Sequence, residues 1–450
     1  MSETKLIAVV LAAGQGTRMK SFLPKVLHKV AGRPMINHLL ATVDSLKADK
    51  AVVVISEGMK ESVAKAVAPH TVAVQHEQLG TGDAVKAALP EFENVTGDVL
   101  VLYGDTPLIG KETLKRMLEA RRNGADVVVL GFTPDDPKRY GRLILDDKGE
   151  LKEIVEFKEA TDEQKAVRFC NSGILCFDAQ KLCGWLKKLK KQPGSGEYYL
   201  TETVALARAE GCRAVAVSGD EEEMLGVNSR EELATMEKII QTRLRKKFLD
   251  QGVTMTDPET VYFSFDTVLG KDVTIEPNVI FETGCVVEDN VEIKGFCHFE
   301  GTHIHKNAKV GPFARLRSGA DVGEECHIGD FVEIKNATIE TGAKVNHLSY
   351  IGDARIGSKT NIGAGTITCN YDGFFKSKTD IGAGAFIGSD TVIVAPCTIG
   401  DGAMTAAGSV ITKDVAANAM AVARGKQAAL DGWAEKFRAQ KKALKEQTEK

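Results

Sequence analysis

From Leu269 onward an aliphatic or aromatic residue recurs every six positions, through Ile275, Phe281, Val287, Ile293 and Phe299. The register slips by one and resumes at Ile304, Val310, Leu316, Val322, Ile328 and Ile334. It slips again before Ile339, Val345 and Ile351, and once more before Ile356 and Ile362. After an interruption come Ile381, Ile387, Ile393 and Ile399, and glycine directly follows many of these positions (Gly311, Gly329, Gly352, Gly357, Gly363, Gly382, Gly388, Gly400). Neither a helix nor an ordinary strand has a six-residue period. It is the signature of hexapeptide coils that stack and extend one continuous core, a parallel β-helix. The break TITCNYDGFFKSKTD, residues 366–380, predicts a loop thrown out of the coils, and loops on rigid scaffolds are where sites are usually built.

The first half has a different rhythm. LIAVVLAA, AVVVIS, VLVLYGD and ADVVVLGF alternate with helical stretches such as MINHLLATVDSL and KETLKRMLEARRNG. This predicts a mostly parallel, Rossmann-like α/β sheet with helices on both faces, whose ligands gather at the carboxyl ends of the strands. Between the halves, SREELATMEKIIQTRLRKKFLD spaces Leu233, Met236, Ile240, Leu244 and Phe248 as one face of a helix, with Ser229 as its start. The expected organisation is a first domain over 1–228, a linker helix over 229–250 and the β-helix with a C-terminal tail over 251–450.

Bulk properties narrow the partners. A net charge of −4 gives no general attraction to nucleic acid or to an anionic membrane, so phosphate recognition must be local and the partner a small molecule. Nine cysteines without a C-x-x-C pair form neither a disulfide framework nor a zinc signature, and a reducing, cytoplasmic setting fits them. Leu6–Ala13 has only Lys5 before it and runs into a charged turn, so it reads as a buried strand and not as a signal segment. No apolar run approaches the roughly 20 residues that a membrane-spanning helix needs.

The opening stretch VVLAAGQGTRMKSFLPKVLH pairs a glycine-rich turn with Arg18, Lys20 and Lys25. Its glycines match neither the dinucleotide fingerprint nor the triphosphatase loop. VLVLYGDTP delivers Asp105 to another strand end, where Mg²⁺ bridging phosphate oxygens would need a carboxylate.

Together LAAGQGTRM…LPKVLH, EQLGTGDA, YGDTPL, YGRL, NSGI, GEYYLTE and GVNSR, followed by GPFARLRSGA, FVEIKN, NHLSYIGDA, NIGAGTITCNYDG and IGSDT, carry a resemblance over nearly the whole chain. It is to the bacterial bifunctional N-acetylglucosamine-1-phosphate uridyltransferase and glucosamine-1-phosphate acetyltransferase family. The resemblance implies a nucleotidyltransferase fused to a left-handed β-helix acetyltransferase, normally a homotrimer. Such an enzyme acetylates glucosamine 1-phosphate with acetyl-CoA and then couples the product to UTP, giving UDP-N-acetylglucosamine for peptidoglycan and lipopolysaccharide synthesis.

Residue by residue, the resemblance implies that Leu11, Ala12, Ala13, Gly14, Tyr103 and Gly104 wrap the nucleotide while Arg18 and Lys25 face the triphosphate. Gln75, Gly80 and Thr81 would read uracil, Gly141, Glu156 and Asn171 would bind the amino sugar, and Asp105 with Asn228 would hold Mg²⁺. In the second half His347 would be the general base, with Arg317, Lys335, Tyr350 and Asn361 on the sugar phosphate. Ala364, Asn370, Tyr371, Ser389, Ala407 and Arg424 would bind or orient acetyl-CoA, Ser389 also facing the oxyanion. Two positions depart from the family: Gln15 where lysine is frequent, and Asn336 in place of a second basic residue beside Lys335. Two rival readings share the folds: a monofunctional sugar nucleotidyltransferase with a regulatory or oligomerising β-helix, and a non-catalytic assembly protein of the exchange-factor type.

FCHFEGTHIHK brings Cys297, His298, His303 and His305 close in sequence, but their spacing repeats no known zinc pair, so no structural metal is expected there. The charged tail GWAEKFRAQKKALKEQTEK reads as a solvated helix, with Trp433 as a candidate partner contact.

Overall fold

The strand Lys5–Leu11 shows why the first half folds as it does. Leu6, Ala8 and Val10 pack into one hydrophobic cluster and Ile7, Val9 and Leu11 into another, so a continuous apolar run is buried on both faces, as a parallel sheet requires. The computed structural model describes residues 4–137 and 140–448. It divides into two units, Met1–Leu244 and Arg245–Lys450.

In the first unit seven strands run in the order Ala214–Ser218, Val127–Phe132, Cys170–Asp178, Gly97–Tyr103, Lys5–Leu11, Lys50–Ser56 and Thr71–Gln75. All neighbours are parallel except Cys170–Asp178, which is antiparallel to both strands beside it. The hairpin Arg142–Leu145 with Leu151–Val155 hangs off the start of that strand, where Cys170 pairs with Arg142. A smaller cluster joins Met19, Val30 and Met35 to Val227 and Met236, so the first half of the helix Arg230–Asp250 packs on this unit. The predicted linker is therefore divided, its residues to Leu244 falling in the first unit and those from Arg245 in the second.

The second unit is a parallel β-helix. One ladder of ten short strands climbs from Thr254–Met255 to Met420–Ala421, and a branched ladder of thirteen forms the remaining flanks. Residues pair with partners 18 positions later, as in Thr274↔Glu292, or 17 later, as in Ile293↔Val310. A coil is thus three hexads, and each slip of the sequence pattern is a coil one residue short. The aromatic members stack inside, Phe263 on Phe281 on Phe299 with ring centroids 5.2 and 5.3 Å apart.

The offset lengthens to 25 where Asn361 pairs with Phe386 and Arg355 with Asp380, which locates the extruded loop. That loop is narrower than the predicted 366–380. Ile367–Cys369 and Thr379–Ile381 remain in the ladder because Thr368 and Thr379 turn inward and are buried. The Thr368 hydroxyl, which accepts from Gly352 N at 2.8 Å, replaces the aliphatic residue the pattern looks for.

Candidate active sites

A cleft of about 390 Å³ opens at the carboxyl ends of the strands Gly97–Tyr103, Lys5–Leu11 and Thr71–Gln75, which deliver Tyr103, Leu11 and Gln75 to its wall. Ala12, Ala13, Gly14, Lys25, Gly80, Thr81 and Asp105 also line it. Two glycines are obligatory here. Gly16 has φ 61° and a Cβ on it would lie 2.7 Å from the Lys25 Cβ, so the turn can press against Lys25 only with glycine. Gly80 has φ 97°, with the Tyr198 carbonyl 2.7 Å from the place of a Cβ. The close approach is locked by Tyr198 N donating to Leu79 O, Gly82 N to Tyr198 O and Leu200 N to the Thr81 hydroxyl, at 2.7, 2.8 and 3.0 Å.

At the floor, Lys25 Nζ donates to Asp105 Oδ2 at 2.5 Å and to Asn228 Oδ1 at 2.9 Å. Asn228 is held by the start of the next helix: Asn228 N and Ser229 N both donate to Glu232 Oε2, and Glu232 N donates back to the Ser229 hydroxyl. Two hard oxygens, from segments more than a hundred residues apart, thus converge on one cationic point. This donor set suits Mg²⁺.

Gly141, Glu156 and Asn171 meet at the edge of the hairpin. Asn171 N donates to Gly141 O at 2.9 Å, and a Cβ on Gly141 would stand 3.6 Å from both Glu156 oxygens. Burial pushes the Glu156 carboxyl above the usual range, helped by Glu159 and Glu202. Tyr103 links this group to the floor, since burial first and then Asp105 and Glu156 keep its phenol neutral. Gly104 sits against Ala12 and Val26. Arg18 is different: it is exposed on the turn Thr17–Met19 and forms no part of the cleft wall. Sequence reasoning missed Gln78, whose carboxamide donates to Ala13 O at 3.0 Å, and Glu197 and Tyr199 of the wall. All three lie within quoted motifs, EQLGTGDA and GEYYLTE.

On the β-helix, one corner carries a column of the expected residues on successive coils. Leu348 N donates to Asp330 O, Gly365 N to His347 O, Asp390 N to Ala364 O and Gly408 N to Ser389 O, and Arg424 Nη1 reaches Ala407 O at 2.8 Å. Asp330, His347, Ala364, Ser389, Ala407 and Arg424 therefore stack in order. Small residues, Ala364, Ser389 and Ala407, make up the upper part of this column, with His347 below them. There His347 Nδ1 bonds Asp330 Oδ1 at 2.5 Å. The bond fixes which ring nitrogen faces outward, and Asp330 was invisible to sequence reasoning. A hollow of about 450 Å³ beside this pair is lined by Phe313, Phe331 and Asn346 among others.

Arg317, Lys335 and Tyr350 lie on the other ladder, Arg317 in register with Lys335 and Lys335 with Gly352. None of them lines the hollow at His347. Lys376, from the extruded loop, and Arg317 hold the Lys335 ammonium below its usual range by like-charge repulsion, so three positive charges gather here. Asn336 has a role of its own, donating to Asp353 Oδ1 at 2.5 Å, while Asn370 donates to Asp353 Oδ2. Burial opposes ionisation of Asp353, but these bonds and the Lys376 and Lys335 charges outweigh it and hold the carboxyl low. Tyr371 is exposed on the loop, its hydroxyl donating to Gly373 O at 2.6 Å. Asn361 pairs with Lys344 one coil beyond the strand that carries His347.

A cleft at the carboxyl ends of a mostly parallel sheet's strands, joined in one chain to a hexapeptide β-helix that carries the Asp330–His347 pair, defines a two-headed transferase. Residues 8–169 match the MobA-like NTP transferase domain, and residues 301–336 and 378–413 match the bacterial transferase hexapeptide (six repeats). The chain is 57% identical over 450 residues to the bifunctional protein GlmU of Paramagnetospirillum magneticum, covering 99% of each. It is 56% identical to that of Rhodospirillum rubrum over 98% of this chain and 99% of the relative. With the bifunctional protein GlmU of Cereibacter sphaeroides the identity is 52% over the whole of both. The chain belongs to the bifunctional GlmU family. It is an enzyme with uridyltransferase and acetyltransferase activities, and neither rival reading is favoured.

Proposed function

We propose that the cleft of the first unit joins UTP to N-acetylglucosamine 1-phosphate and that the corner column of the second unit makes that sugar phosphate from glucosamine 1-phosphate and acetyl-CoA. The observation that supports this reading is that each unit holds its own hydrogen-bonded group of polar side chains: Lys25, Asp105 and Asn228 in one, Asp330 and His347 below a column of small residues in the other.

In the first site a sugar-phosphate oxygen attacks the α-phosphorus of UTP and pyrophosphate leaves. Fixed positive charge lowers the barrier by stabilising the transition state. Asp105 and Asn228 would hold Mg²⁺, which supplies charge neutralisation at the phosphates. Lys25, released from Asp105, turns to the phosphates, and Arg18 reaches in from the exposed turn. Ala13 and Gly14 face the base and ribose, Gln75, Gly80 and Thr81 the uracil, and Gly141, Glu156 and Asn171 the amino sugar.

In the second site the His347 ring nitrogen turned away from Asp330 takes the proton of the glucosamine amine as it attacks the thioester. CoA leaves along the column of Ala364, Ser389 and Ala407, with Arg424, Asn370 and Tyr371 as further contacts, while Ser389 faces the oxyanion. Arg317, Lys335 and Tyr350 bind the phosphate end of the sugar, together with Asn361.

A trimer is supported by two observations. Phe296, Phe313 and Phe331 stand on successive corners with φ of 61°, 55° and 55°, a conformation unfavourable for bulky residues. They stack at 5.0 Å while remaining 44–57% exposed. The phosphate-binding cations also lie off the His347 hollow, so a neighbouring copy would complete the site. A cytoplasmic setting is consistent with nine free thiols. No described helix is long and apolar enough to cross a membrane.

The test is product analysis of each half-reaction. The chain with N-acetylglucosamine 1-phosphate, UTP and Mg²⁺ yields UDP-N-acetylglucosamine and pyrophosphate, and with glucosamine 1-phosphate and acetyl-CoA it yields free CoA. Absence of either product from folded protein removes the corresponding half of the reading.

A further inference from the structure

We infer that Glu288, His303 and His305, on the flank of the β-helix, form a binding site for a divalent transition-metal ion of the zinc class. His303 and His305 flank the buried Ile304, His303 on the short strand His303–Ile304 and His305 just after it, so both imidazoles project from the same side and stack with centroids 3.9 Å apart. Glu288, on the preceding coil, places Oε1 3.0 Å from both His303 Nε2 and His305 Nδ1. The three candidate ligand atoms lie within 4.8 Å of one another. Two donors about 2.1 Å from a tetrahedral ion are about 3.4 Å apart, so small side-chain shifts admit the ion.

Three features distinguish this group from a chance surface contact. The second nitrogen of His305, Nε2, bonds Asp321 Oδ1 at 2.8 Å, the carboxylate-to-imidazole support that metal-bound histidines usually have. The other Glu288 oxygen accepts from Lys306 N at 3.1 Å, which aims the carboxylate. The Lys306 ammonium is engaged by Glu324 at 3.1 Å, and the two carboxylates of Glu288 and Asp321 balance a divalent charge. Imidazole donors select zinc, nickel, copper or cobalt over Mg²⁺. The ion would staple two successive coils, with Asp321 of the next coil supporting His305 from outside, and leave a position for water. Sequence spacing hid the group because its carboxylates come from neighbouring coils. The adjacent Cys297 takes no part: it is buried, with Sγ against Gly295 O.

The test uses the full chain, stripped with chelator and titrated with Zn²⁺ in excess Mg²⁺, so that oxygen-only sites stay occupied. The expected result is one tight Zn²⁺ equivalent per chain that raises the melting temperature. It should be lost in His303→Ala/His305→Ala and weakened at least tenfold in Glu288→Gln. Asp321→Asn should weaken it roughly 10- to 100-fold while leaving all three ligands in place. Affinity should fall as pH drops and the imidazoles protonate. Co²⁺ as probe should give a d–d absorption that the double variant lacks. These side chains are partly exposed, so the variants are expected to fold, and melting in the absence of metal checks this. Unchanged Zn²⁺ stoichiometry and affinity in the folded double variant, or no Zn²⁺ binding by the wild type, would overturn the proposal.

Discussion

Single side chains separate the two chemistries. His347→Ala should lower acetyl-transfer kcat by roughly 10²–10⁴-fold, the usual contribution of a positioned proton acceptor, with KM for glucosamine 1-phosphate little changed. Asp330→Asn should give a smaller loss, again in kcat, because Asp330 acts only by holding the ring. Arg317→Ala should instead raise KM for the sugar phosphate, since its charge-assisted contact serves ground and transition states alike. Steady-state kinetics on the three variants decides the matter, and a KM effect from His347→Ala would return that residue to a surface role. The residue scale is also where the sequence was least explicit. Asp330 belongs to no quoted motif, while Gln78 and Lys376 sit in quoted segments whose residue roles the sequence does not assign, and only chain folding brings the three to His347, Ala13 and Lys335.

At the scale of elements, the helix Arg230–Asp250 sets where the chain can be cut. Ala31 N donates to Glu237 Oε2, the Arg230 guanidinium to Met19 O, and Met236 is buried against Met19, Val30 and Met35. A fragment over 1–244 should therefore keep uridyl transfer. One ending at Ser229 exposes that cluster; losing the burial of Met236 alone costs about 2–5 kcal/mol, so thermal melting should drop sharply. Equal melting temperatures for the two fragments would refute this. The apolar face of the helix was legible because helical periodicity is strong, but periodicity does not say which unit the face packs on. Likewise the hexad pattern gave the coils and their one-residue slips, yet it overextended the loop because Thr368 and Thr379 fill inward positions with hydroxyl-bearing side chains.

For the whole molecule, the exposed Phe296, Phe313 and Phe331 ladder predicts association. Phe331→Asp should reduce the assembly mass measured by light scattering and impair acetyl transfer, while uridyl transfer persists. An unchanged mass would place the contact elsewhere. Architecture was the most legible level, since burial on both faces of a parallel sheet and the six-residue repeat each leave long, unambiguous patterns.

Two catalytic centres on one chain should work separately and be linked only by a shared sugar phosphate. The most direct measurement supplies glucosamine 1-phosphate, acetyl-CoA, UTP and Mg²⁺ to Asp105→Ala, to His347→Ala and to their mixture, and follows CoA and UDP-N-acetylglucosamine together. Asp105→Ala should release CoA without the nucleotide sugar, His347→Ala should make neither product at an appreciable rate and only the nucleotide sugar once N-acetylglucosamine 1-phosphate is added, and the mixture should make both. If either folded variant loses both half-reactions when each is assayed with its own substrates, the two centres are not separate and the account fails.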